Sequence, residues 1–446
     1  MSVELKGKRV LVLGMGETGA SAARWLHAIG AEVRAADSRE QPPRSGLDMP
    51  VANGPFKTAL LDGMDLVVLS PGLSMKEPVV IEAQVRGIQV AGDVELFAWE
   101  IAKRTPQPAV IAITGSNGKS TVTSMVGEIC SKGGLDTVVA GNIGLPVLDT
   151  LARHPAVYVL ELSSFQLETL SSLNAAAAAV LNLSEDHLDR YESMGEYGTA
   201  KARIFKGSGV QVLNRDDGAT MAMRLPGRKV LTFGASSAMS ESEYGFKDGW
   251  LVKGDRRLMK ESDLKVAGRH NALNALAALS LCSVLDIPEE TMVRALSEFS
   301  GLPHRVEKIG ELNGISFYDD SKGTNVGATV AALEGLPVKS VLILGGDGKG
   351  QDFSPLKEAV RHHARAVILI GRDAPIIAQA IAGTDVPLLS AGSLEEAVSE
   401  AYAQAVAGDA VLLSPACASF DMFRNYVHRA EVFVSAFRKL EPCTHR

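Results

Sequence analysis

Short β-branched runs alternate with longer helical patterns along the whole chain, and that alternation constrains the fold more than any single motif. Parallel strands need a crossover between them, usually a helix, so the pattern specifies an α/β protein with mostly parallel sheets. The runs fall into three sets. Residues 1–97 hold "RVLVLG", "EVRAAD" and "DLVVLSPG". Residues 98–302 hold "AVIAITG", "DTVVAGN", "AVYVLELSS", "AAAAAVLNLS" and "GVQVLN". Residues 303–446 hold "GISFYDDS", "SVLILGGDG", "AVILIGRDA" and "DAVLLSPA", then a closing helix from about Asp421 to Leu440. Three domains with these bounds are expected, in keeping with a length of 446 residues at roughly 150 residues per domain. The proline-bearing stretches 103–110 and 299–307 read as connections. The strands end in Gly, Asp, Asn, Ser or Glu, and open parallel sheets bind ligands beyond those carboxyl ends. The chemistry is expected there.

Composition narrows the partners. With 46% hydrophobic and 22% charged residues the chain has ample core for a globular protein. A net charge of −7 without a run of like charges points away from nucleic acid. An anionic ligand then needs local cations or a metal ion. Cys130, Cys282, Cys417 and Cys443 form no CxxC pair, which suits a reducing compartment and offers no disulfide or zinc framework. No apolar run approaches the roughly 18 residues of a membrane span, and the N-terminus runs into a strand without the pattern of a signal peptide. A cytoplasmic protein with no membrane insertion is expected.

Two glycine-rich turns follow strands. "GSNGKST", Gly115-Ser116-Asn117-Gly118-Lys119-Ser120-Thr121, links "AVIAIT" to a helical pattern. Backbone N–H groups and the helix start there face an anion, Lys119 adds a positive charge, and Ser120 offers the hydroxyl that phosphate loops present to Mg²⁺. The usual phosphate-loop spacing would put a glycine at Ile113, so the loop is short. Gly14-Met15-Gly16-Glu17-Thr18-Gly19 carries the GxGxxG fingerprint, with Asp37 ending the next strand. It permits a diphosphate and a ribose contact without saying which nucleotide, and a dinucleotide stays open on this motif alone. Glu161 ends a very apolar strand, the usual place of a Mg²⁺ ligand beside a phosphate loop. "LNLSEDHLDRY" offers Asp186, His187 and Asp189 at another strand tip. In the last section "YDDSKGTN", "GGDGKG" and "SPACASFD" set Lys322, Lys349 and small hydroxyl residues at strand tips suited to carboxylates.

Taken in order, "TGSNGKST", "GNIGLP", "LELSSFQLE", "NLSEDHLDRY", "GRHNALNALAAL", "GLPHRVE", "DDSKGTN" and "LLSPACASFD" resemble the Mur ligase family over essentially the whole chain. The short phosphate loop is that family's own form. The resemblance implies an N-terminal Rossmann-like domain for a UDP-linked substrate, a central ATPase-like domain and a C-terminal Rossmann-like domain. It is closest to the branch that joins D-glutamate to UDP-N-acetylmuramoyl-L-alanine with ATP, through an acyl phosphate, in peptidoglycan precursor synthesis. The enzyme is expected to act as a monomer.

By the same resemblance Ser120 and Glu161 hold one Mg²⁺, and His187 with Lys201 a second. Lys201 can serve there only as a carbamate formed with CO₂, which needs a neutral amine and hence a pKa well below the usual ~10.4. Lys119, Glu161, His187 and Lys201 are the implied catalytic set. Asn142 and Asn271 resemble adenine-side contacts, His304 lies beside the adenine, Asp320 resembles a ribose contact, and Arg305 joins Lys119 on the γ-phosphate. Glu17, Thr18, Asp37, Ser38, Arg39 and Gly72 resemble the uridine-diphosphate site. Thr324, Lys349 and Ser419 resemble the D-glutamate contacts, with Tyr426 contributing through its backbone. Residues 235–262 match no motif and are expected to be structural.

Overall fold

The computed structural model describes residues 4–43, 49–187, 190–266 and 268–440. Asp189 and Cys443 lie outside them. The strands form three sheets. The first runs, in spatial order, Val51–Asn53, Glu32–Asp37, Arg9–Leu13, Leu66–Leu69 and Gln89–Ala91, and every pairing is parallel. Its chain order reverses beside Arg9–Leu13, which places the switch point at the fingerprint turn. Side chains alternate as a pleated strand demands. Val10 and Val12 join one apolar cluster and Leu11 and Leu13 another on the opposite face.

The second sheet has nine strands. Ala109–Thr114 lies at its functional centre, between Ala177–Val180 and Val157–Glu161, with Thr137–Gly141 at the edge. These pairings are parallel. Register sets Glu161 opposite both Ile113 and Gly141, so three strand tips meet at one level. The 235–262 segment extends the far edge. Glu243–Lys247 and Trp250–Lys253 form an antiparallel hairpin, turned by Asp248 and Gly249 at φ 52° and 77°. Asp-Gly is the pair that such a two-residue turn prefers.

The third sheet runs Glu307–Leu312, Ile315–Asp319, Ala410–Leu413, Ser340–Gly345, Ala364–Ile370 and Leu388–Ser390. Only its first pair is antiparallel. The closing helix begins at Tyr426, not near Asp421. Its first turn is capped by Asn425, whose Oδ1 accepts from His428 N at 2.9 Å, and that cap fixes the start.

The residues pack as two compact units. One comprises Met1–Leu183, Gly195–Met259 and Ala275–Leu296, and the other Ser184–Met194, Lys260–Asn274 and Ser297–Arg446. Among the described residues no helix is long and apolar enough to cross a membrane. Cys130, Cys282 and Cys417 are buried and free.

Candidate active site

The phosphate loop is set by its glycines and by a neighbouring strand tip. Gly118 sits at φ 81° and caps helix Lys119–Lys132 without a side-chain cap. A left-handed residue there suits glycine, and the helix start keeps its N–H groups for an anion. Asn182 holds the loop open: its carbonyl accepts from Ser116 N at 3.0 Å. Its side chain exchanges bonds with the backbone of Asn117 at 2.8 and 3.1 Å. Lys119 Nζ folds over the loop, donating to the carbonyls of Gly115 and Ser116 at 2.8 and 2.7 Å. Ser120 and Thr121 are buried on the first turn.

Beside it, Glu161 is only 2% exposed. Its Oε1 accepts from Asn142 Nδ2 at 2.7 Å, while its buried Oε2 has no hydrogen-bond partner among the described residues. An orphaned carboxylate oxygen inside a protein is costly, and a hard divalent cation would satisfy it. Together with the Ser120 hydroxyl it gives an all-oxygen donor set of the kind Mg²⁺ takes. The residues present therefore fit a magnesium ion.

Lys201, near the end of helix Met194–Ala202, is 1% exposed. Its Nζ reaches Gly115 O at 2.9 Å and Thr114 Oγ1 at 3.3 Å, and lies 4.6 Å from the centre of the Tyr197 ring. Tyr197 in turn reaches Ser116 Oγ at 3.3 Å. A helix lysine that reads as solvated in sequence is thus buried against the phosphate loop.

The fingerprint turn is built by contact. Helix Glu17–Ala28 starts over Gly16, and Gly19 packs so closely that a Cβ would stand 1.8 Å from Gly14 O. Asp37 is buried, accepting from Met15 N at 2.7 Å and from Arg39 N and Nε at 2.9 and 2.8 Å. The Arg39 guanidinium holds its carboxyl down at about 2. Ser38 and Arg39 are exposed beside it. Glu17, Thr18 and Gly72 line a cleft of about 290 Å³ whose other wall includes Asn142, Ser163 and Gln166. The fingerprint turn and the residue that holds Glu161 thus share one cavity, and the structure brings Asn142 to that wall.

Ser163 and Gln166 close a reciprocal capping box on the short helix after Glu161. Gln166 Nε2 donates to the buried Asp93 at 3.1 Å. Sequence reasoning gave no role to Asn182, Tyr197, Ser163 or Gln166, although Ser163 and Gln166 stand in "LELSSFQLE" and Asn182 opens "NLSEDHLDRY".

The second unit carries the remaining expected residues. His187, at φ 57°, lies beside Asp186, with 3.7 Å between Nε2 and Oδ2. Asn271 is buried near the start of helix Arg269–Cys282. His304, at φ 63°, places Nδ1 2.7 Å from Asp319 Oδ2, and its N donates to Glu307 at 2.9 Å. Asp320 is buried and accepts from Ser414 Oγ at 2.7 Å. Burial raises its carboxyl to about 7, partly opposed by that bond and by Arg305. Thr324 follows in the same loop. Lys349 sits at φ 52° with its N donating to Asp347 at 3.1 Å. Ser419 is buried, and Tyr426 opens the closing helix.

Parallel α/β sheets with a short phosphate loop and an adjacent magnesium-fitting acid define a nucleotide-binding α/β protein, and the chain belongs to the Mur ligase family. Family models match in chain order: "Mur ligase MurD-like, N-terminal domain" over residues 8–92, "Mur ligase middle domain" over 113–282, and "Mur ligase, glutamate ligase domain" over 304–417. Relatives from Thiobacillus denitrificans and Methylobacillus flagellatus are each 56% identical over 98% of both chains, and both carry the name UDP-N-acetylmuramoylalanine–D-glutamate ligase. Among solved structures, a pseudomurein peptide ligase type C from Methanothermus fervidus matches with TM-score 0.61 and 19% identity, covering 97% of this chain and 100% of that one. UDP-N-acetylmuramate-alanine ligase from Thermotoga maritima matches with TM-score 0.61 and 20% identity, at the same coverage. At such identity they attest the fold.

Proposed function

We infer that the protein joins D-glutamate to UDP-N-acetylmuramoyl-L-alanine with cleavage of ATP to ADP and phosphate, the second amino-acid addition to a peptidoglycan precursor. One observation carries the site assignment. Glu17 and Thr18 of the fingerprint turn line one cleft with Asn142, which holds Glu161, so a nucleotide-linked acid with its diphosphate at the turn can extend towards the strand tip that carries Glu161. The names of the 56%-identical relatives supply the amino acid.

The chain's own groups account for the chemistry. A carboxylate attacking a γ-phosphate meets charge repulsion of roughly 4 kcal/mol for two unit charges about 4 Å apart at an effective dielectric near 20. Lys119, the amides of 115–121 and the start of helix Lys119–Lys132 stabilise the negative charge that develops there. Ser120 and Glu161 would hold magnesium, which would supply further charge neutralisation. Asn142 fixes the orientation of Glu161 through their 2.7 Å bond. The acyl phosphate so formed is attacked by the D-glutamate amine, and the resulting tetrahedral adduct collapses with loss of phosphate.

On the same reading His187 and a carbamylated Lys201 would each serve as a magnesium ligand. Asn271, His304, Arg305 and Asp320 are assigned to ATP, as is the phosphate loop. Glu17, Thr18, Asp37, Ser38, Arg39 and Gly72 hold the uridine diphosphate, and Thr324, Lys349, Ser419 and Tyr426 the incoming amino acid. Anionic nucleotide substrates and buried free cysteines suit a cytoplasmic enzyme. Phosphate release measured with a panel of D- and L-amino acids tests the reading. Release is expected only when UDP-N-acetylmuramoyl-L-alanine and D-glutamate are both present, and release independent of either would overturn it.

A further inference from the structure

We propose that Arg429 is a positioning residue for the amino-acid substrate, its buried guanidinium locking together the strand-tip loops and helix start that carry Thr324, Ser419 and Tyr426. The proposal rests on the reading that those residues hold D-glutamate. Arg429 lies on helix Tyr426–Leu440 and is 0% exposed. Its Nε donates to Ser321 Oγ at 3.0 Å, Nη2 to Ser321 O at 2.8 Å, and Nη1 to Cys417 O at 3.1 Å. All three acceptors are neutral. Burial draws the guanidinium down to about 10, with Asp421, Asp319 and Asp320 opposing through space.

Each bond ends on a segment of the proposed site. Ser321 follows Asp320 and stands three residues before Thr324. Its hydroxyl accepts from Arg429 and donates to the Tyr426 carbonyl at 2.8 Å, so that carbonyl is fixed in direction. Cys417 stands two residues before Ser419, and the next residue, Ala418, exchanges both backbone bonds with Asp347 at 2.8 and 3.0 Å. Asp347 also caps the backbone N of Lys349. One planar fork therefore sets two chain segments directly, the helix start through the Ser321 hydroxyl, and the Lys349 loop through one further pair. A buried charge is a weak way to gain stability, since an apolar side chain of similar volume commonly does as well. What an apolar side chain or a lysine lacks is the rigid fork geometry.

The test is steady-state kinetics of the full chain as Arg429→Lys, Arg429→Met and Ser321→Ala, with each substrate varied at saturating levels of the others. KM for D-glutamate is expected to rise roughly tenfold or more in the arginine variants, and in the same direction for Ser321→Ala. KM for UDP-N-acetylmuramoyl-L-alanine is expected to change less than about twofold, its cleft belonging to the other unit. An unchanged KM for D-glutamate, or an equal rise for all three substrates as general loosening gives, would overturn the proposal. Should Arg429→Met not fold, Ser321→Ala decides, because it deletes one hydroxyl and keeps the fork. If the underlying reading is wrong, the unmodified chain itself shows no D-glutamate-dependent ADP release, a result distinct from any variant effect.

Discussion

Gly16 and Gly19 belong to one motif yet do different work, and replacing each by alanine separates packing from binding. A Cβ at Gly19 would stand 1.8 Å from Gly14 O, against 3.4 Å for ordinary contact. Helix Glu17–Ala28 and the turn must then part by roughly 1.5 Å in a region packed at crystal density. The turn has little room to yield, because the Cβ position of Gly14 already lies 2.9 Å from the Ser70 Cβ. Overpacking of this kind costs ~1–3 kcal/mol, which lowers the midpoint of the corresponding thermal transition by roughly 2–12 °C. A Cβ at Gly16 meets nothing within 4 Å, and its φ of −68° is open to alanine. Gly16→Ala is therefore expected to keep its melting temperature, with any gain no more than about 1 kcal/mol. It should nevertheless raise KM for the UDP-linked substrate, because the second glycine is where a diphosphate approaches the backbone. Calorimetry with parallel kinetics reads both effects. Equal melting temperatures for the two variants would refute the packing argument, and an unchanged KM in Gly16→Ala would refute the binding one.

Lys201→Arg keeps the positive charge but cannot take up CO₂, and turnover is expected to fall by orders of magnitude. Activity near that of the unmodified chain would dismiss the carbamate. Burial holds His270 at about 4, below its ordinary 6.5, and its Nδ1 has no hydrogen-bond partner among the described residues. The folded state keeps it neutral while the unfolded chain binds a proton below 6.5, so its contribution to stability is lost as pH falls from about 6.5 towards 4. That loss is roughly 3 kcal/mol. His270→Leu should flatten the acid limb of a stability–pH curve, and an identical limb in both proteins would contradict the assignment.

Much of this was legible in the sequence because it depends on local pattern. Strand runs, glycine turns and the acid at the tip of "AVYVLE" need only periodicity and neighbouring residues, and Glu161 lies where that pattern put it. What stayed hidden depends on long-range packing. Arg429 in "NYVHRAEVF" reads as an ordinary exposed helix arginine, and only the third sheet's strand tips bury it. Lys201 reads the same way until the loop at 114–115 closes over it. Asn182 is an unremarked polar residue after an alanine-rich strand, yet it holds the phosphate loop because parallel register brings Val180 beside Thr114. The start of the last helix was misread by several residues because a side-chain cap, not hydrophobic periodicity, sets it.

The central claim is that this chain makes one particular amide bond. Incubation with ATP, Mg²⁺, UDP-N-acetylmuramoyl-L-alanine and either D- or L-glutamate, followed by mass analysis, tests it directly. The account predicts a product heavier by one glutamyl residue, formed with D-glutamate and not with L-glutamate, and released in equal amount with ADP and phosphate. No glutamyl adduct, or an equal yield from the L-enantiomer, would contradict it.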